Sequence, residues 1–272
     1  RYARDGFPVG PFTAHYWDAA VRHMDRFPHF LEHFAPEGRA PLAGEIFARP
    51  QFATSLEMIA ETGGEAFYRG ALAEAMALNS RQEGGALVLD DLATHEAQWV
   101  TPTRQDYHGV TLHEIPPNGQ GLAAQIALAI LEPFELAAQP LDCAESVHLQ
   151  IEAMKIAIGA AFEHFADPRA MRVCVEELLD PGSIARAAAS ITREAAAPVP
   201  VSLPASRDTV MLVAADEEGQ MVSFIQSNYF GFGSGIVIPG TGISMQSRGY
   251  GFSLEPGHPN QVDGGKRPFH TI

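Results

Sequence analysis

The chain has 272 residues, 46% of them hydrophobic, enough to bury a sizeable core in one large domain or two closely packed ones. Lys and Arg number 18 against 33 Asp and Glu, a formal net charge of -15 that disfavours phosphate backbones and anionic membrane surfaces as partners. No apolar run approaches the ~20 residues needed to cross a bilayer, and Cys143 and Cys174 are too few for a disulfide framework and lack zinc or thiol-redox spacing.

The opening Arg1-Tyr2-Ala3-Arg4-Asp5 has neither a start Met nor a secretory signal; it reads as the interior of a longer protein and sets no cellular destination. From Phe12 to about Asp180 apolar residues recur at three- and four-residue spacing, broken at Pro or Gly, which predicts a mainly helical region. Residues 54–61 and 65–77 read as two helices around the Gly63-Gly64 turn. Residues 109–115 alternate like a short strand, and Pro116-Pro117-Asn118-Gly119 is a turn. Residues 121–131 form a helix stopped before Pro133, and residues 145–165 form the longest, closing at Asp167-Pro168. Met58, Met76 and Met154 take core spacing on these helices and call for no cofactor.

Residues 195–207 hold three prolines and several small residues with no usable period, the pattern of an exposed linker. Beyond it the pattern turns to β. Residues 209–216 and 221–229 are two strand runs joined by Glu217-Glu218-Gly219-Gln220, a hairpin signal, and a loop follows with Gly231, Gly233, Gly235, Gly240 and Gly242. These glycines sit in no phosphate-binding pattern, since neither GxxxxGK[ST] nor a GxGxxG between strand and helix occurs. His29 and His33 share a helix face, and His95-Glu96 and His113-Glu114 add possible ligands, but without HExxH the reading is no metal site.

Four stretches resemble the gamma-glutamyltranspeptidase family. They are Gly44-Glu45-Ile46-Phe47 with residues 51–56, Asp91-Leu92-Ala93 leading to residues 116–121, and residues 148–157. Most diagnostic is the fourth: Asp208-Thr209 and its hairpin, then Phe232-Gly233-Ser234-Gly235 and Pro239-Gly240-Thr241-Gly242. Lys266-Arg267-Pro268 matches a further family element, so the likeness runs through nearly the whole chain in order. The resemblance implies an α/β fold of the N-terminal nucleophile class, an αββα sandwich made as one precursor that cleaves itself before a threonine. Residues 1–208 then belong to a mainly helical large subunit ending in the linker, residues 209–272 to a β-rich small subunit, and the chain reads as a fragment missing both ends.

On this resemblance the cleaved bond lies between Asp208 and Thr209, and Thr209 is the nucleophile. A threonine hydroxyl is weakly nucleophilic and needs a base within reach; the α-amine freed by cleavage, with a pKa near ~8, supplies one without His or Asp. Ser227 matches a family hydroxyl that bonds the nucleophile. Read from the residues alone, Thr209 is a β-branched strand start and Ser227 a serine satisfied by backbone. The implied partners are a small-molecule amide substrate and the protein's own two subunits after cleavage, with no nucleic acid, membrane, metal or organic cofactor.

Three departures alter the expected pocket. Val210 and Met211 replace the Thr and His that usually follow the nucleophile, and Gly251 replaces the Asp that holds the substrate α-ammonium. His270 and Thr271 replace the paired serines that hold the α-carboxylate. Thr271 keeps one donor, and Arg248 in the same loop is either a solvent-facing arginine or a bidentate carboxylate site. The acyl specificity therefore points toward the cephalosporin- and glutaryl-acylase-like branch rather than glutathione hydrolases. The alternative from another class is an unprocessed, non-catalytic relative serving as scaffold or binding protein.

Overall fold

The computed structural model describes residues 1–140, 142–197 and 209–271, so Asp208 and positions 198–207 of the expected linker lie outside the described residues. The chain divides into two compact units, residues 1–98 with 206–247 and residues 99–205 with 248–272.

The first unit opens with α1 (Tyr2–Asp5), β1 (Phe7–Pro8), α2 (Pro11–His23), α3 (Pro28–Phe34) and β2 (Ile46–Phe47). It continues through α4 (Pro50–Glu61), α5 (Glu65–Tyr68), α6 (Ala71–Gln82) and α7 (Leu89–Ala93). Proline stands in the first turn of α2, α3 and α4, where its missing N–H costs nothing. Gly63 and Gly64 close α4 at φ 62° and 97°. The predicted helix over 65–77 is in fact two, α5 and α6, broken at Arg69-Gly70. Gly70 is extended (φ -123°, ψ -156°), and a Cβ on it would stand 2.9 Å from Ala66 Cα, so only glycine fits this corner. Met76 is buried and Met58 half-buried, whereas Met154, predicted to be core, is exposed on α9 below.

Two apolar clusters hold this unit. Trp17 of α2 packs its ring against Phe47 (4.5 Å between centroids) and Phe232 (5.2 Å), and donates its indole N–H to the Phe34 carbonyl at 3.0 Å. Leu72 and Met76 of α6 pack with Ile238 and Ile243, and Ser55 Oγ donates to the Thr241 carbonyl at 2.8 Å, fastening α4 to the glycine-rich turn.

In the second unit β3 (Thr103–Tyr107) pairs antiparallel with β4 (Val110–Glu114) around His108-Gly109, both at positive φ (45° and 85°), as a tight hairpin turn requires. The sequence pattern gives β4 but hides β3, because Thr-Arg-Gln-Asp-Tyr is polar on both faces. Then come α8 (Gly121–Leu131), α9 (Ala144–His164), α10 (Val175–Leu178) and α11 (Pro181–Ser190). Apolar α8 is buried by Leu122, Ile126 and Ile130. On α9, Leu149, Ala153, Ala157 and Ala161 recur every four residues, a small-residue stripe that lets α8 approach closely. Leu149 is fully buried, so Leu149→Ala should cost ~2–5 kcal/mol by urea denaturation, with the urea m-value unchanged.

β5 (Thr209–Ala215) and β6 (Met221–Ser227) pair antiparallel in the first unit, in register from Thr209↔Ser227 to Ala215↔Met221. Asp216 Oδ1 accepts from Gln220 N–H at 2.8 Å, and Gly219 at φ 83° turns the chain. From Asn228 on, the described residues run as turns, isolated bridges and one 3-10 turn at Arg248–Gly251, because glycines at positive φ interrupt any ladder.

Candidate functional site

Strand register makes the first cluster. Thr209 begins β5 opposite Ser227 at the end of β6, and Thr209 Oγ1 stands 3.1 Å from Ser227 Oγ, a distance across which either hydroxyl can donate. Ser227 Oγ also accepts the Tyr229 N–H at 3.0 Å. Tyr229 adopts φ 77°, a left-handed backbone that costs a bulky L-residue ~1–3 kcal/mol and aims its N–H back at the serine. Ser227 is thereby fixed from one side while its other face meets Thr209. The pair opens on a cavity of about 500 Å³, walled by Thr209, Ser227 and Asn228 together with Tyr16, Trp17 and Phe232. Its lining carries no charged side chain among the described residues.

The second unit holds the other predicted residues. Arg248 is buried rather than solvent-facing, and its Nη1 donates to Thr271 Oγ1 at 3.1 Å. His270 is half-buried, and its backbone N–H donates to the Asn118 carbonyl at 2.8 Å. Asn118 Nδ2 in turn donates to the Pro268 carbonyl at 2.7 Å, which bolts the Pro116–Gly119 turn to the Lys266-Arg267-Pro268 segment. Asp167, almost fully buried, accepts the Arg267 and Arg169 N–H groups at 3.0 Å each and two bonds from the Arg169 guanidinium at 2.9 and 2.8 Å. The Arg169 guanidinium and these N–H groups hold its carboxyl well below the ordinary carboxylate range, against the opposing effect of burial. Asn118, Asp167 and Tyr229 escape sequence reasoning because each acts through backbone geometry.

Gly251 has a steric role. A Cβ there would stand 2.6 Å from the Phe269 carbonyl oxygen, closer than real Cβ atoms come, so an aspartate at position 251 would have to move backbone. Asn260 secures the same corner, donating to the Gly251 carbonyl at 2.7 Å and accepting the Phe269 N–H at 2.9 Å.

The histidine face on α3 is used differently from a metal site. His29 Nδ1 pairs with Glu32 at 3.3 Å, and His33 is buried beside Arg49. Among the described residues no three His, Cys, Asp or Glu gather closely enough to hold an ion. Burial, helped by the Arg49 charge and opposed by Glu32, pushes His33 down to about 4 from 6.5. The unfolded chain takes up this proton first, so the stability held above pH ~6.5 is lost as pH falls toward 4. His33→Gln should flatten the acid side of the stability profile by about 1–3 kcal/mol over that window, read from urea midpoints at stepped pH.

Comparison with known proteins follows the same lines. The gamma-glutamyltranspeptidase family model matches residues 1–272. The chain is 38% identical over 271 residues to the oxamate amidohydrolase proenzyme of Klebsiella pneumoniae, and 34% identical over 272 residues to the glutathione hydrolase-like YwrD proenzyme of Bacillus subtilis. Each match covers all of this chain and 51% of the relative, so the chain spans about half the length of the curated relatives it matches. Among solved structures, cephalosporin acylase from Bacillus halodurans superposes with a TM-score of 0.92 at 44% identity, over 100% of this chain and 51% of that one. The fold is that of the N-terminal nucleophile hydrolases, the αββα class the motifs imply. With a family match running from the first residue to the last, the chain belongs to the gamma-glutamyltranspeptidase family.

Proposed function

We propose that the protein is a self-processing amide hydrolase and acyltransferase in which Thr209 serves twice. The observation that carries this reading is the 3.1 Å approach of Thr209 Oγ1 to Ser227 Oγ at the rim of an open cavity. In processing, Thr209 Oγ attacks the carbonyl carbon of Asp208: a C–O bond forms, the C–N bond to Thr209 breaks, and the hydroxyl proton passes to the departing nitrogen. Water then hydrolyses the ester, releasing the Asp208 carboxyl and leaving residues 1–208 and 209–272 on separate chains. In turnover the freed α-amine takes the Thr209 hydroxyl proton, Oγ attacks the substrate amide, the amine leaves with that proton, and water or an acceptor amine resolves the acyl-threonine ester. Ser227, held by Tyr229, fixes the rotamer of Thr209 in both steps.

For the acyl group we infer a preference for acidic chains lacking an α-amine, as in a glutaryl or cephalosporin acylase. A buried ammonium without its carboxylate partner costs several kcal/mol, and Gly251 offers neither that carboxylate nor room for one. Buried Arg248, steadied by Thr271, is the group suited to a substrate carboxylate. The reading is tested by quenching the complete processed enzyme in acid during turnover of an amide and mapping its peptides. An acyl mass on the peptide that starts at Thr209 is expected, together with activity that survives chelator; an adduct elsewhere, or loss on chelation restored by a divalent cation, overturns it.

A further inference from the structure

The longest helix, α9, carries four polar side chains at spacings of three, four and three: Glu145, His148, Glu152 and Lys155. All four reach residues 192–197, which run into the start of the expected linker. Glu145 pairs with Arg193 at 2.8 Å, and His148 Nε2 donates to the Thr192 carbonyl at 2.6 Å. Glu152 Oε2 accepts the Ala197 N–H at 3.2 Å, while Lys155 Nζ donates both to Glu152 at 2.8 Å and to the Ala197 carbonyl. Thr192 Oγ1 closes the turn onto the Ala195 carbonyl at 2.8 Å.

The inner pair is an unusual use of charge. The Glu152 and Lys155 side chains are only 5% and 16% exposed, and a buried ion pair repays its desolvation only when its remaining donors and acceptors are bonded. Here those bonds go to the N–H and the carbonyl of one residue, Ala197. The segment it grips is Ala195-Ala196-Ala197, whose side chains are too small to anchor by packing. A clamp on the main chain is the way left to hold it. Ala197 is the last described residue before Thr209, so the pair grips the chain on the upstream side of the bond that self-cleavage would break.

We propose that the Glu152–Lys155 pair is a main-chain clamp that anchors the chain upstream of the cleavage bond and sets the rate of self-cleavage. It is a positioning device and touches no reacting atom. The proposal rests on self-cleavage before Thr209, and its test separates the two claims. Full-length precursor is made with Glu152→Leu/Lys155→Met, which removes both charges together and leaves neither buried alone, and with Lys155→Arg, which keeps the charge and the donors. Cleavage is followed by intact mass, and melting temperature and activity per mole of cleaved enzyme are read on the same samples. The expected result is at least tenfold slower cleavage in the double variant, near-normal cleavage in Lys155→Arg, and unchanged activity once cleaved. Cleavage of the double variant within tenfold of wild type overturns the clamp and leaves Thr209 standing; a wild type that never cleaves overturns both. Should the double variant fail to fold, hydrogen exchange on the Thr209→Ala precursor decides instead. Slow exchange at the Ala197 amide upholds the clamp, and exchange at the rate of free coil overturns it.

Discussion

Thr209→Ala is expected to leave the full-length precursor as one chain, with amide turnover at least ~10⁴-fold below wild type. Both losses share one cause, since alanine has no oxygen to attack either its own peptide bond or a substrate. Thr209→Ser keeps the hydroxyl and should retain both reactions at a reduced rate. Thr209 is exposed at a strand start, so the substitution should change stability by only ~0.5 kcal/mol. Ser227→Ala separates positioning from chemistry. It removes the oxygen that lies 3.1 Å from Thr209 Oγ1 while leaving the strand register intact, and should slow cleavage and turnover together; the melting temperature should also fall by a few degrees, because the Tyr229 N–H loses that acceptor. Intact mass, p-nitroaniline release and thermal melts on the three variants check these outcomes.

The second large effect concerns specificity. Wild-type enzyme is expected to favour glutaryl- over γ-glutamyl-p-nitroanilide by tenfold or more in kcat/KM, since the two differ only by an α-amine for which position 251 supplies no carboxylate. Arg248→Met should then lower kcat/KM for the glutaryl compound by ~10²-fold or more, the cost of leaving a carboxylate without its charged partner. Butyryl-p-nitroanilide, with no terminal carboxylate, is the internal control: it should lose little, and equal losses on both substrates would place Arg248 in the scaffold. A wild-type preference for the γ-glutamyl compound would mean that another acid holds the ammonium.

Much of this layout is legible in the sequence where periodicity is strong. The bounds of α8 and α9 follow from unbroken apolar spacing, and the β5–β6 hairpin from two β-branched runs around Glu-Glu-Gly-Gln. The alignment of Thr209 with Ser227 does not follow from it, because the runs read as 209–216 and 221–229 are unequal and a one-residue slip would set Thr209 opposite Asn228; the turn closed by Asp216 and Gln220 fixes the register. What stays hidden depends on tertiary fit. Gly70 splits a continuous helical pattern because Ala66 lies against it, and Met154 sits at core spacing on a face left exposed. Arg248 is a polar residue in a glycine-rich loop, whose burial no local pattern announces. The Asn118, Asp167 and Asn260 supports bond to main chain far away in sequence, so spacing gives no sign of them. The αββα class and the role proposed for Thr209 rest on motif resemblance; composition and period alone reach only a mixed helix-and-strand domain.

The most direct measurement is the intact mass and N-terminal sequence of the purified full-length protein after incubation. The account predicts two chains, the second beginning Thr209-Val210-Met211, and a single uncleaved chain from Thr209→Ala under the same conditions. A wild-type protein that stays one chain, or fragments that begin at any other residue, would contradict it and favour an uncleaved scaffold built on the same fold.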